Sequence, residues 1–340
     1  MIGRHLMSAA RRPGLREEGI ARGAGGAAAR GTRPRRARRR PDQRRAGGRG
    51  AALLLAAGVL AAAAAPAAAW PDRWFDSGRL LGTAGVVQVE GAGGGGLTPW
   101  ALIAGYGTRD AVGASARGTA VRLPDYALYS PGIAIGLFDR IELSYAHLGF
   151  DTGSTGEALG LGSGFTFRLD VLGAKLRLFG DAVYDQDRWW PQVAVGMQYK
   201  SNSRDAVLRA IGARRASDVD VYVSATKLFL AESILANATL RFTRANQLGI
   251  LGFGGDRNDR HRPQVELSGA WLINRHVAIG AEYRMKPDNL GFAREDDWLD
   301  VFVALFVTKN VSLTAAWLEA GSIATRPRQR GPYLSLTIGF

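Results

Sequence analysis

Apolar and polar side chains alternate one for one through most of the second half of this chain. The pattern is plainest at the carboxyl end, where Leu334, Leu336, Ile338 and Phe340 share one face and Tyr333, Ser335, Thr337 and Gly339 the other. A period of two marks a strand with one face in apolar surroundings. Further back, 276–286 sets Val277, Ile279, Ala281, Tyr283 and Met285 against His276, Gly280, Glu282, Arg284 and Lys286. Segment 263–273 sets Val265, Leu267, Trp271 and Ile273 against Gln264, Glu266 and Ser268. Segment 233–243 sets Ile234, Ala236, Ala238, Leu240 and Phe242 against Ser233, Asn237, Thr239 and Arg241. Such runs last about 10 residues, enough for a tilted strand to cross a bilayer and about twice the mean for soluble strands.

The spacing between runs adds a second signature. Connections 201–218, 244–262, 287–296 and 322–331 are long and polar, whereas those at Ala231-Glu232, Asn274-Arg275 and Thr308–Asn310 are tight. Alternating long loops and short turns are the habit of transmembrane barrels. Counting backwards predicts strands at 333–340, 311–321, 297–307, 276–286, 263–273, 233–243, 219–229, 191–200, 165–179, 140–150, 131–138 and 99–108. The expected fold is all-β, a transmembrane antiparallel up-and-down β-barrel of about twelve strands, with ten or fourteen as the neighbouring solutions. Two places strain the scheme. Connection 180–190 should be short and is not, and 165–179 changes phase between Val171 and Leu172, as a bulge or bend would make it do. Trp100, Tyr106, Phe150, Phe165, Tyr199, Trp271, Trp298, Trp317 and Phe340 fall near strand ends and are expected in interfacial girdles. Asp205–Gly212 has the apolar spacing of a short helix within a loop.

Charge changes the picture only at the amino end. The net +14 would suit a nucleic-acid binder, but residues 1–50 hold 15 arginines against three acids, leaving 29 basic and 27 acidic side chains in 51–340. No nucleic-acid surface is expected in the remainder. The expected organisation is an Arg-rich disordered leader at 1–50 and a signal-peptide hydrophobic region at 51–69, cleaved near Ala69/Trp70. A Gly-rich segment at 70–98, a candidate plug, and a barrel at 99–340 follow. The leader is longer than an ordinary n-region, as an over-extended start would make it. Export to the outer membrane of a Gram-negative cell follows, and the absence of cysteine suits an oxidising compartment.

A barrel must turn its charges inward, because an Arg or Lys on the lipid face costs about 2–4 kcal/mol at midplane. The predicted lumen-lining residues are Glu142, Arg177, Arg241, Glu266, Glu282, Arg284 and Lys286. Two arrangements fit the mixed signs: a water-filled channel, or a lumen closed by ion pairs or by the N-terminal segment. GAGGGG at 91–96 matches a dinucleotide fingerprint, but no βαβ unit surrounds it, so a flexible turn or close backbone crossing is expected and no cofactor. His147, His261 and His276 lack metal-ligand spacing, and no metal site is expected. His147 with Ser144 or Ser268 would be the starting point for an acyl hydrolase or protease, and no enzyme is expected. Asp256–Asp259 and Glu295–Asp297 with Asp300 read as solvated outer loops.

Residues 78–340 resemble an uncharacterised proteobacterial family of outer-membrane proteins, a domain of unknown function. The resemblance is carried by Gly78–Thr83, Gly94–Trp100, Tyr106–Thr108, Asp125-Tyr126, Gly173–Lys175, Gly180-Asp181, Pro191 and Thr226-Lys227. It implies an envelope location and no catalytic residue. The terminal strand, with Tyr333, Leu334, Leu336, Ile338 and Phe340, resembles the assembly signal of outer-membrane barrels. That implies outer-membrane lipid, the barrel-assembly machinery and periplasmic chaperones as partners. The expected function is a small porin-like channel for passive passage of small solutes. A closed barrel with a structural or interaction role is the alternative.

Overall fold

The computed structural model describes residues 86–340, so the expected leader at 1–50, the expected signal region at 51–69 and residues 70–85 lie outside the described residues. A two-residue ladder pairs β1 (Val86–Val87) with β2 (Gly93–Gly94). The barrel strands are β3 (Val112–Arg122), β4 (Ala127–Leu137), β5 (Ile141–Asp151), β6 (Thr166–Phe179), β7 (Gln192–Asn202) and β8 (Ser217–Phe229). They continue as β9 (Ile234–Thr243), β10 (Arg262–Asn274), β11 (Val277–Arg284), β12 (Trp298–Phe306), β13 (Val311–Ile323) and β14 (Arg326–Gly339). Each pairs antiparallel with its neighbours in sequence, and β14 closes on β3 with Leu336 opposite Gly118. Closure leaves no strand edge to face lipid unpaired.

The outer face is apolar. Ile133, Ile135, Leu143, Leu172, Val223, Leu267, Val301 and Trp317 are all exposed there, while the residues between them are buried inside. No helix among the described residues is long and apolar enough to cross a membrane, so the strands do the crossing. Trp271, Tyr199 and Phe340 are exposed as a girdle requires, but Trp100, Tyr106, Phe150 and Trp298 are buried in the interior.

Several expectations are corrected. Residues 99–108 form no barrel strand, and the first is Val112–Arg122. Its outward side carries Ala114, Ala116, Gly118 and Ala120 against inward Ser115, Arg117 and Thr119, an alternation with little hydrophobic contrast. Segment 322–331 is no long loop: β13 and β14 run on to a tight turn at 324–325. Strand β6 keeps its phase. Phe167, Leu169, Val171, Lys175 and Arg177 all point inward, and the apparent shift marks a change in what fills the lumen, from apolar above to charged below. The helix expected near 205–212 spans Asp205–Ala210 and buries Leu208.

The long 180–191 connection has a structural task at the short-turn end. Ala182 and Val183 are buried against Leu228, Leu235 and Phe306, and Leu228 N donates to Ala182 O at 2.8 Å. At the long-loop end, residues 245–255 are all buried, and Leu248, Ile250, Leu251 and Phe253 pack on Leu148, Phe150, Phe167 and Leu169.

Val301 is 62% exposed on the outer face of β12. Val301→Arg should lower folding stability in lipid vesicles by about 2–4 kcal/mol if that face meets hydrocarbon, and denaturant titration in vesicles would measure it.

Candidate functional site: a charged interior around the N-terminal segment

Residues 87–107 are buried throughout, threaded inside the ring before the chain joins β3. The glycine run makes that passage sterically feasible. A Cβ on Gly95 would sit 1.9 Å from a carboxylate oxygen of Glu282, and one on Gly94 would sit 2.3 Å from the Thr98 carbonyl. Gly91 adopts φ 103°, closed to most side chains. The run is a close backbone crossing.

Glu90 stands at the centre. Five consecutive strands each direct one charged side chain toward it: Lys200 from β7, Asp220 from β8, Arg241 from β9, Glu266 from β10 and Arg284 from β11. Lys200 pairs directly with Glu90, and its ammonium also lies 2.6 Å from Asp220. Arg241 Nε lies 2.6 Å from Glu266 Oε1, and Arg284 bridges Glu90 at 2.7 Å and Glu266 at 3.2 Å. Signs alternate around the ring, three cations to two carboxylates, and Glu90 supplies the balancing charge. Gln88 and Gln198 complete the hydrogen bonding, Gln88 Nε2 donating to Glu90 at 2.8 Å and Arg241 donating to Gln198 Oε1 at 2.6 Å.

A second clamp lies lower in the ring. Glu142 accepts hydrogen bonds from the N–H groups of Gly93 (2.9 Å) and Ala104 (2.8 Å). Lys175 satisfies its three donors on Glu142 (3.0 Å), Gly93 O (2.9 Å) and Leu102 O (2.7 Å). Glu282 accepts from Leu97 N at 2.7 Å and Thr98 Oγ1 at 2.9 Å, and Arg117 donates to Val89 O at 2.7 Å.

The seven predicted lumen residues are all buried but do not form one group. Arg241, Glu266 and Arg284 join the Glu90 network, while Glu142 and Glu282 hold the segment's backbone. Arg177 lies at the short-turn rim, tied to Asp139 and, at 3.0 Å, to Asp181. Lys286 lies at the opposite end, 3.3 Å from Glu295 and donating to Gln247 Oε1 at 2.9 Å. Sequence reasoning missed Lys200 and Asp220, although Val219/Val221/Val223 against Asp220/Tyr222/Ser224 is the same alternation used elsewhere. Glu90 lies in the candidate plug at 70–98, but nothing local gives its partners or its facing inside the ring.

The hydrolase arrangement does not assemble. Ser144 and Ser268 are buried on the lumen side, whereas His147 is on the outer side, its Nδ1 2.8 Å from Asp170 Oδ1. Ser201 is the register partner of Asp170 on the far strand, so the acid separates His147 from the hydroxyl by two inter-strand spacings. His261 and His276 contact the carbonyls of Val219 and Phe306. Among the described residues no group of three metal-ligating side chains occurs. The acidic stretches are corrected in part: Asp256 is exposed, but Glu295 and Asp300 are buried.

An apolar outer wall around a charged, filled interior defines a membrane-spanning β-barrel. Residues 83–337 match a family described as protein of unknown function, DUF3034, and the chain belongs to it. No curated protein matches the chain. Among solved structures, the KdgM porin is similar at 10% identity over 66% of this chain and 99% of that one, with a TM-score of 0.44. Omp33 of Acinetobacter baumannii shows 8% identity over 67% and 97% of the two chains, TM-score 0.41. Outer membrane phospholipase A from Escherichia coli shows 10% over 69% and 94%, TM-score 0.37. At that level of likeness nothing about cargo or chemistry passes to this chain.

Two predictions follow from the charges. Glu90→Gln leaves the ring one positive charge in excess and should destabilise the barrel by about 3–5 kcal/mol, read by denaturant titration in micelles. At the long-loop end, burial raises the Glu295 carboxyl from 4.5 to about 7, with Lys286 opposing and Asp288 adding to the rise. The folded state therefore holds that proton more tightly than the unfolded chain. Its contribution is complete below pH 4.5 and declines as pH rises through about 7. The thermal midpoint of Glu295→Gln should vary less over that window than the parent's.

Proposed function

We propose that this protein is an outer-membrane barrel, closed at rest, with a structural or interaction role. The carrying observation is the burial of 87–107 inside the ring, with Glu90 completing the charge balance of five strands. Closure has three layers. Ala182 and Val183 with Trp100, Leu102 and Phe306 fill the short-turn end, which the barrel habit makes periplasmic. The ion network fills the middle, and residues 245–255 fill the outer end against apolar strand faces.

A porin-like channel for small solutes is the second reading. It is favoured by the polar nature of the segment's attachments: carboxylates, ammonium groups and hydroxyls hold its backbone, and water could replace them. That route needs both the N-terminal segment and the outer loop to move. Planar-bilayer recordings of the refolded 70–340 chain should be silent, and removal of 70–107 should at most give brief, irregular currents because the outer apolar layer persists. Steady stepwise currents from the intact chain would establish the channel instead.

A further inference from the structure

A cavity of about 50 Å³ lies between Gly95-Gly96 of the threaded segment and the inner faces of β8–β14. That is room for about four water-sized atoms at roughly 10–15 Å³ each. Its wall is mostly hydrocarbon, from Trp100, Leu235, Ala278, Phe302 and Phe306, interrupted by Glu282, Asp300, Thr314 and the Tyr333 hydroxyl.

These polar groups are not matched by the protein. Asp300 and Glu282 face each other across β11 and β12 as a register pair, placing their Cβ atoms about 4.5–5.5 Å apart. Both are buried, and no basic side chain among the described residues pairs with either. Glu282 is engaged by Leu97 and Thr98, but Asp300 Oδ1 has no hydrogen-bond partner. Thr314 Oγ1 on β13 is also buried and unpartnered, but it pairs in register with Ala304, four residues along β12 from Asp300, and lies toward the far end of the cavity. Two like charges in a dry interior require a compensating cation or proton. Elsewhere in this lumen each carboxylate cluster has its Lys or Arg, so the omission is local.

We propose that this cavity binds a short primary alkylammonium ion, its –NH₃⁺ held by Asp300 and Glu282 and its tail running along the apolar wall past Phe302 toward Ala278. An ammonium group donates three hydrogen bonds, and the two facing carboxylates offer four oxygens to accept them. The apolar wall disfavours a metal ion, which needs oxygen ligands on most sides, and takes up a tail of about three carbons. Ala182 and Val183 line the cavity too, so the ligand enters from the short-turn end beneath the 180–191 connection. The site stands whether or not the lumen conducts.

The test is isothermal titration of the full chain, refolded in detergent micelles, with n-propylammonium chloride, sodium chloride and 1-propanol at constant ionic strength. Saturable heat with propylammonium alone is the expected result. Asp300→Asn should weaken it about tenfold or more while leaving the thermal midpoint at or above the parent's, since the variant removes an unpaired charge. Ala278→Val, which occupies hydrocarbon space and keeps both carboxylates, should weaken binding as well. Equal heat in Asp300→Asn, or the same saturation with sodium, would overturn the proposal. So would absence of binding, together with an infrared carboxylic-acid band that Asp300→Asn abolishes, because a proton would then neutralise the pair.

Discussion

Charge balance inside a closed ring is the constraint on which this structure depends. The wall cannot carry charges outward, so they accumulate inside, where each is removed from bulk water and must find a counter-charge. Lys200, Asp220, Arg241, Glu266 and Arg284 meet that demand by alternating sign from strand to strand, but an odd-numbered alternation that begins and ends on a cation is one charge short of neutral. Glu90 brings the missing carboxylate from outside the wall. The N-terminal segment is therefore a counter-ion as well as a filler, and the ring without it is electrostatically incomplete.

The layers on either side of this network obey a different rule. In the outer part of β5 and β6, Leu148, Phe150, Leu169 and Val171 point into the barrel while His147, Arg168 and Asp170 point out, so the wall there is apolar on its inner face. That arrangement suits a packed core. Phe253, Leu248 and Leu251 supply the other half of the core, delivered by a connection that folds inward where a porin would keep water. Lys286 and Glu295 pin this loop from above through Gln247.

How far the fold is legible in the sequence follows from contrast between the two faces. Where strong apolar residues oppose charged or polar ones, as in β9, β10, β11 and the end of β14, alternation gives strand, face and phase. Where Ala and Gly oppose Ser and Thr, as in β3, the period is present but its amplitude is too small, and Trp100 and Leu102 beside it draw the strand assignment to the wrong segment. The same one-dimensional pattern cannot tell an inward apolar residue from an outward one, which is why β6 looked broken and four aromatics looked interfacial. The interior charges on strands are legible in type and direction, and Lys200 and Asp220 obey the rule that found Arg241. Their partnerships are not, because the register joining five strands to Glu90 depends on ring closure between residues far apart in sequence.

Ring closure and seating of the threaded segment are coupled at one residue. The Phe340 carbonyl accepts hydrogen bonds from Tyr106 N at 2.8 Å and Ala114 N at 3.0 Å, and Phe340 N donates to Ala114 O at 2.8 Å. Tyr106 belongs to the threaded segment and Ala114 to the first strand, so the last residue ties the ring's seam to the exit of the segment. Because β14 pairs with β3 through Gly339 and Ser115, the seam cannot zip fully while the segment's exit is displaced. An empty ring would thus lose its central counter-charge and the end of its closing ladder together, so seating the segment stabilises closure without being its only source.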